Sequence, residues 1–144
     1  MTRRALDDLL EDARNRIERL EPAAADAATA RGALLIDIRA AQDRERDGAV
    51  PGSLHVPRTV LEWRLDPDSE WRSPHVDGLD RQLVLICDHG YSSLLAAATL
   101  VELGYTHVGD VVGGFAAWKA AGLPTTAPRA IDPGELPGMA PPEP

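Results

Sequence analysis

Apolar residues along the chain fall into short runs that suit buried strands. Ala33–Ile38 is aliphatic except for one aspartate, and Leu83–Cys87 is apolar throughout. Runs of this length and composition are typical of strands that are covered on both faces. Ser53–Val56, which follows a Pro-Gly turn, and His107–Val112 predict two further strands.

Helical patterns alternate with these runs. Ser93–Leu103 and the segment 115–121 predict helices, and a glycine follows each of them. Pro22–Gly32 predicts a shorter helix, with a proline at its start. Because strands that alternate with helices form parallel sheets, the pattern predicts an α/β fold with helices on both faces of the sheet.

The first 21 residues predict an amphipathic helix that packs on the rest of the domain. One face of this segment is apolar, and the opposite face is charged. The apolar face consists of Leu6, Leu9, Leu10, Ala13, Ile17 and Leu20. A helix that binds a partner is the alternative, and it would carry the same stripe.

Residues 22–124 make up the predicted domain, and residues 125–144 form a tail. Seven of the twelve prolines lie in the last 21 residues, which contain few large apolar side chains. This composition favours a tail that is flexible or draped on the surface. A proline-rich ligand for another protein is the minor alternative.

Composition restricts the class of protein. The chain has 144 residues, enough for one domain with its own core, and 44% of them are hydrophobic. The net charge of −8 argues against a nucleic-acid partner, because such proteins usually present a basic face. No apolar stretch approaches the roughly 20 residues that span a bilayer, so we expect no membrane partner. The charged N-terminus lacks a signal-peptide core, and one cysteine cannot form an internal disulfide, which together favour a cytoplasmic protein.

The single cysteine, Cys87, ends a predicted strand and precedes a polar loop. Ligands of parallel α/β sheets bind outside the carboxyl ends of the strands, where this cysteine falls. Free N–H groups and the dipole at the start of the next helix favour an anion there and lower the pKa of a thiol. Gly90 permits a tight turn, and Ser92 or Ser93 can cap the helix. The pattern predicts an anion-binding cradle with a thiolate at its base; a buried structural cysteine is the alternative.

Three segments of the chain resemble the rhodanese-like domain family. The loop "CDHGYSS", Cys87 to Ser93, resembles the family's active-site loop. Upstream, Asp37, Arg39 and "GAVPGS" resemble its D-x-R and G-H-I-P-G-A signature. Downstream, "GDVVGGFAAWKAAGLP" resembles its C-terminal signature, so that the resemblance covers roughly residues 22–124.

The resemblance implies a three-layer rhodanese-like fold with about five parallel strands, and sulfurtransferase chemistry. Cys87 would accept sulfur from a donor such as thiosulfate, or from a protein persulfide, and form a persulfide of its own. A thiol or cyanide would then accept the outer sulfur. The loop N–H groups would stabilise the persulfide anion. The chemistry requires neither a metal nor an organic cofactor.

The loop departs from the family pattern in its charge. Asp88 should oppose ionisation of the thiol and repel anionic thiosulfate, whereas His89 would do the opposite if it is protonated. Tyr91 either donates a hydrogen bond into the site or packs over the loop. Ser92 stands where the family often has arginine, and Ala49 stands where it has the histidine of its upstream signature.

Two other kinds of protein compete with a sulfurtransferase. Phosphatases and arsenate reductases related to rhodaneses have a longer loop that ends in arginine, which this chain lacks. The acidic loop and the N-terminal helix favour a second alternative, a non-catalytic module that binds a partner or senses sulfane sulfur.

Residues outside the loop are expected to support the site. Asp37 and Arg39 predict a structural ion pair after the first buried strand. Arg64 either supplies positive charge to the substrate or is a surface arginine. His55, His75 and His107 have no spacing typical of zinc ligands.

Overall fold

A parallel sheet of five strands forms the centre of the molecule in a computed structural model, which describes residues 2–144. The strands are Glu18–Leu20 (β1), Leu34–Asp37 (β2), Leu54–His55 (β3), Leu83–Ile86 (β4) and Val108–Val111 (β5). Their order is β1-β5-β4-β2-β3, and each neighbouring pair is parallel. The prediction of a parallel α/β sheet is confirmed.

Helices cover both faces of this sheet. Within the described residues they are Leu6–Arg16 (α1), Pro22–Ala30 (α2), Ala41–Asp47 (α3), Leu61–Leu65 (α4), Ser92–Glu102 (α5) and Gly114–Ala120 (α6). On one face α4 and α5 pack against the sheet, with α1 against α5, and on the other face lie α2 and α6. The helices predicted after the third and fourth predicted strands are α5 and α6.

The core has two halves because successive strand residues point to opposite faces. Ile36 and Leu85 pack with Leu100 of α5 on one face. Val84 packs with Trp118 of α6 on the other, where the indole N–H donates a 2.9 Å hydrogen bond to the Pro124 carbonyl. Burial of both faces is the reason that the sequence of β2 and β4 is continuously apolar.

The N-terminal segment differs from its prediction as one helix. Helix α1 ends at Arg16, and residues 18–20 form β1 at the edge of the sheet, in register with Gly109 to Val111 of β5. Because Pro22 opens α2, the residue before it must be extended, and pairing with β5 extends the strand further back. The domain therefore includes residues that the prediction placed in the N-terminal helix.

The proline-rich tail is draped on the domain, which is the second of the two arrangements that its composition favoured. Thr126 forms an antiparallel bridge with Ala49. Near the end of the chain, the buried Glu143 carboxylate accepts a 2.7 Å hydrogen bond from Arg44. The backbone N–H of Glu143 donates to the Ser53 carbonyl at 2.9 Å. The tail lacks helices and strands of its own, yet its polar groups find partners on the domain.

No helix among residues 2–144 is both long enough and apolar enough to cross a membrane. The same residues contain no group of three or more His, Cys, Asp or Glu side chains arranged to hold a metal ion.

Candidate functional site

Cys87 lies at the carboxyl end of β4, the strand at the centre of the sheet. The residue is only 5% exposed, and its carbonyl accepts a 2.7 Å hydrogen bond from the N–H of Phe115. Residues 88–91 form the loop that leads to α5. The strand thus delivers the thiol to the edge of the sheet where ligands of α/β proteins bind.

The loop directs a backbone donor at the sulfur. Gly90 has φ +84°, and a Cβ atom there would lie 2.7 Å from the backbone nitrogen of Gly113, so the turn requires glycine. The N–H of Gly90 donates a hydrogen bond to Cys87 Sγ over 3.1 Å. Of the backbone donors that the sequence predicted for this turn, the Gly90 N–H contacts the sulfur directly.

The environment of the sulfur favours the thiolate. Burial raises the pKa of Cys87, but the hydroxyls of Ser93 and Ser92 and the N–H groups of Ser93 and Gly90 together lower it below its ordinary value. In the structure, the single hydroxyl proton of Ser93 bonds to Asp110 at 2.7 Å. Because Asp110 already accepts the Ser93 hydroxyl, the donors left to the thiolate are the Ser92 hydroxyl and the N–H groups of Ser93 and Gly90.

A buried ion cluster lies at the end of the neighbouring strand β2. The Asp37 carboxylate accepts hydrogen bonds from Arg39 (Nη2, 2.8 Å) and Arg44 (Nε, 3.0 Å). Burial raises the pKa of Asp37, but the two guanidinium groups outweigh it and hold that pKa below its usual value. Arg39 also donates to the Gly48 carbonyl at 2.8 Å and stacks 4.0 Å from the ring centre of Phe115. This geometry agrees with the structural ion pair that we expected of Asp37 and Arg39.

The mouth of the site is acidic and partly aromatic. Asp88 Oδ1 lies 4.0 Å from Arg39 Nη1. Burial raises the pKa of Asp88, the nearby Asp43 carboxyl raises it further, and Arg39 and His89 offset only part of the rise. Tyr91 is 79% exposed, so its ring covers the rim rather than the interior of the loop.

These side chains surround a pocket of about 300 Å³ that opens on the sulfur. The lining residues are Ile38, Arg39, Ala40, Asp43, Cys87, Asp88, His89, Tyr91 and Ser92. The pocket therefore unites six of the ten residues that the sequence singled out, and Gly90 and Ser93 lie directly behind it.

Arg64 lies away from this pocket, which corrects the suggestion that it serves the substrate. Its guanidinium is buried and donates to the carbonyls of Pro137 (2.7 Å) and Trp71 (3.0 Å). The positive charge of Arg64 therefore anchors the tail. The helix that carries Arg64 packs on the sheet face, and the segment before it does not bring the side chain to the loop.

Two residues beneath the loop were missed by sequence reasoning. Asp110 on β5 is fully buried, and Arg19 on β1 bonds both to its carboxylate and to the Gly90 carbonyl. Arg19 was hidden because the segment was assigned to a helix. A charged residue within the apolar run of β5 was the available signal for Asp110.

Comparisons with known proteins match most of this chain. A family model described as the rhodanese-like domain matches residues 20–121. Thiosulfate sulfurtransferase GlpE of Pseudomonas savastanoi pv. phaseolicola is 36% identical over 104 residues, which cover 72% of this chain and 88% of the relative. A second curated relative, a sulfurtransferase of Allochromatium vinosum, is 32% identical and covers 67% of this chain and 80% of its own length.

One solved structure is similar over a larger share of this chain than these two relatives. It is a Rhodopseudomonas palustris protein of unknown function, described as a possible tyrosine phosphatase, with 36% identity and a TM-score of 0.78 over 87% of this chain and 96% of that one. The matched family segment begins at the last residue of β1 and ends just after α6, so it includes the other four strands and the loop that follows Cys87.

Proposed function

This chain belongs to the rhodanese-like domain family, and from that premise we propose that it is a sulfurtransferase in which Cys87 carries the sulfur as a persulfide. The observation that carries the proposal is the 3.1 Å hydrogen bond from the Gly90 N–H to Cys87 Sγ, at the carboxyl end of the central strand. Sulfur transfer is the activity named for the curated relatives, and the lowered pKa of Cys87 supplies the thiolate that it needs.

In the first half of the reaction, the Cys87 thiolate attacks the outer sulfur of thiosulfate. A bond forms between Sγ and that sulfur, the bond between the two thiosulfate sulfurs breaks, and sulfite leaves with the electron pair. The product is a persulfide whose terminal sulfur carries the negative charge. N–H groups of the loop are placed to stabilise this anion as they stabilise the thiolate.

In the second half, an acceptor thiolate or cyanide attacks the terminal sulfur. The bond between that sulfur and Sγ breaks, its electron pair returns to Sγ, and the Cys87 thiolate is restored. Protons are exchanged only if the acceptor enters as a thiol. The step draws on the protein's own residues and the two substrates.

The acidic mouth supports a second candidate, a module that receives sulfur from a protein persulfide or senses it. Asp43 and Asp88 line the entrance, and the Arg39 guanidinium gives Nε and Nη2 to Asp37 and Gly48, so that only its Nη1, 4.0 Å from Asp88 Oδ1, is left without a hydrogen bond. Dianionic thiosulfate is repelled by such an entrance, whereas a persulfide presented by a partner carries less charge.

Intact-protein mass spectrometry after incubation with thiosulfate tests the proposal. We expect the wild type to gain the mass of one sulfur atom, Cys87→Ser to gain none, and a thiol acceptor to remove the gain. If wild-type Cys87 stays unmodified although iodoacetamide alkylates it, the thiosulfate reaction is wrong. Repeating the incubation with a persulfide-bearing protein then decides for or against the second candidate. Hydrolysis of p-nitrophenyl phosphate by the wild type, but not by Cys87→Ser, would favour a phosphatase instead.

A further inference from the structure

An ion pair lies beneath the loop that carries Cys87, on the side away from the pocket. Arg19 of β1 and Asp110 of β5 face each other across the pairing of these two strands. The guanidinium donates from Nε to Asp110 Oδ1 at 2.9 Å and from Nη2 to Oδ2 at 3.0 Å. This is the two-pronged geometry in which arginine binds a carboxylate most firmly.

The same pair is joined to the helix that follows the loop. Asp110 is completely buried, and its Oδ2 also accepts the hydroxyl proton of Ser93 at 2.7 Å. Ser93 is itself fully buried in the first turn of α5. A buried carboxylate without Arg19 would be an uncompensated charge, so the pair depends on the arginine.

Arg19 also contacts the loop directly. Its Nη2 donates to the Gly90 carbonyl at 2.7 Å, while the Gly90 N–H donates to Cys87 Sγ at 3.1 Å. The carbonyl and the N–H of one residue are therefore held from opposite sides, by the guanidinium and by the sulfur. Because Gly90 has the φ of +84° that only glycine adopts readily, this turn has little stiffness of its own.

We infer that Arg19 is a positioning residue for Cys87, which holds Gly90 with its N–H toward the sulfur and keeps a positive charge beneath the reactive thiolate. That the thiolate reacts with a sulfur donor rests on the proposed function. The positioning of Gly90 and the charge beneath the sulfur rest on the contacts of Arg19. In accordance with it, Cys87 is among the charges that raise the pKa of Arg19, after Asp110.

Other charged side chains line the pocket with Cys87 and also influence its ionisation. Asp88 and His89 come from the loop itself, Arg39 follows β2, and Asp43 lies on α3. Arg39 gives Nε and Nη2 to Asp37 and Gly48, whereas its buried Nη1 has no hydrogen-bond partner within residues 2–144. On the sheet side of the loop, Arg19 and Asp110 are the charges that substitution can change without altering the pocket lining.

The test measures the rate at which iodoacetamide alkylates Cys87 across a pH series. The midpoint is the pH at which the alkylation rate reaches half of its maximum. We expect Arg19→Gln to raise this midpoint by roughly half a pH unit to one pH unit, so that alkylation below the midpoint is about threefold to tenfold slower. Arg19→Lys retains the charge but not the fork, so a smaller upward shift is expected. Arg16→Gln is the matched control, because Arg16 lies on α1 and pairs with Glu102 at 2.7 Å.

Asp110→Asn distinguishes an electrostatic effect of Arg19 from a purely structural support of the loop. This variant removes the carboxylate charge and leaves the guanidinium in place, so the midpoint should move downward. If the ion pair only supported the loop, its loss would move the midpoint upward, as in Arg19→Gln. Midpoints equal to that of the wild type in both Arg19 variants, or an upward shift in Asp110→Asn, would overturn the inference. If Arg19→Gln does not fold, the opposite shifts expected of Arg19→Lys and Asp110→Asn still decide.

Alkylation requires no sulfur donor, so the two proposals can fail separately. Shifted midpoints in a protein that takes up no sulfur would refute the persulfide proposal and support the role of Arg19. Persulfide formation with unshifted alkylation midpoints would support the persulfide proposal and refute the role of Arg19.

Discussion

At the scale of single residues, the sulfur of Cys87 is governed by a few short contacts. The Gly90 N–H reaches Sγ at 3.1 Å, and Gly114 keeps space open behind the loop, because a Cβ atom there would lie 2.5 Å from the Cys87 carbonyl oxygen. Against these, Asp88 adds negative charge next to the thiol. Ionisation of the thiol is thus opposed by burial and favoured by the hydroxyl and N–H donors around the sulfur, and the Asp88 charge is expected to oppose it further.

Removing the Asp88 charge should make the thiol more reactive. For Asp88→Asn we expect the alkylation midpoint of Cys87 to fall and the persulfide yield from thiosulfate to rise about threefold or more at low salt. Because Asp88 is partly exposed, the effect should shrink as ionic strength increases. Asp77→Asn is the control, since that side chain is 87% exposed and pairs with Arg81. A midpoint that does not differ from the wild type at low salt would contradict this role of Asp88.

At the scale of elements, the two ends of the chain complete the domain. Strand β1 occupies an edge of the sheet, where a Cβ atom on Gly109 of β5 would collide with the Glu18 carbonyl. The tail crosses the opposite part of the molecule, where Glu143 joins Arg44 and Arg44 joins Asp37. Both terminal segments therefore reach the surroundings of the site through ion pairs.

Loss of the Glu143 carboxylate should release the tail. For Glu143→Ala we expect a loss of about 2–3 kcal/mol in the free energy of unfolding, because the buried Arg44 guanidinium loses one of its two anions. Denaturant unfolding measures the free energy of unfolding. Faster hydrogen exchange at the backbone amides of residues 126 and 143 would show that the tail is released. Glu70→Ala, at an exposed site, is the control. Rapid exchange of both amides in the wild type would mean that the tail is flexible, as its composition suggested.

At the scale of the whole molecule, the parallel sheet gathers the chemistry at one edge. Cys87 follows β4, and Asp37 ends β2 beside it, so the thiol and the ion cluster lie at adjacent carboxyl ends. The opposite end of the sheet is closed by buried groups such as Tyr105, whose hydroxyl donates to the Leu65 carbonyl at 2.7 Å.

The stability of the fold should fall in alkaline solution through Tyr105. Burial raises the pKa of Tyr105 to about 12 from the ordinary value of 10.0. The unfolded chain therefore releases this proton first, and the stabilisation is complete below pH 10.0 and is lost as the pH rises towards about 12. Tyr105→Phe should be less stable near neutrality by about 1–2 kcal/mol, since the Leu65 carbonyl loses its donor. It should also show a shallower decline above pH 10.0 than the wild type.

Thermal unfolding across this pH range measures both effects. Tyr91→Phe is the control, because that side chain is 79% exposed. An equal alkaline slope in Tyr105→Phe and the wild type would show that another group causes the decline.

Much of the fold was determined by the sequence alone, for local reasons. Short aliphatic runs such as those of β2 and β4 are typical of strands with both faces buried, and glycines after α5 and α6 mark the helix ends. The position of Cys87 between a strand and a helix follows from the same patterns. Its catalytic role was predicted from the resemblance of the loop, and it stays a prediction until sulfur transfer is measured.

Tertiary structure decided what no local pattern could. Residues 18–20 continue a helical stripe in sequence, and only pairing with β5 makes them a strand that brings Arg19 under the loop. Arg64 lies close to the site along the predicted elements, but packing turns its guanidinium to the tail carbonyl of Pro137. Hydrophobic periodicity records which side of an element is buried, whereas a charged side chain takes its partner from whatever distant segment supplies the hydrogen bonds.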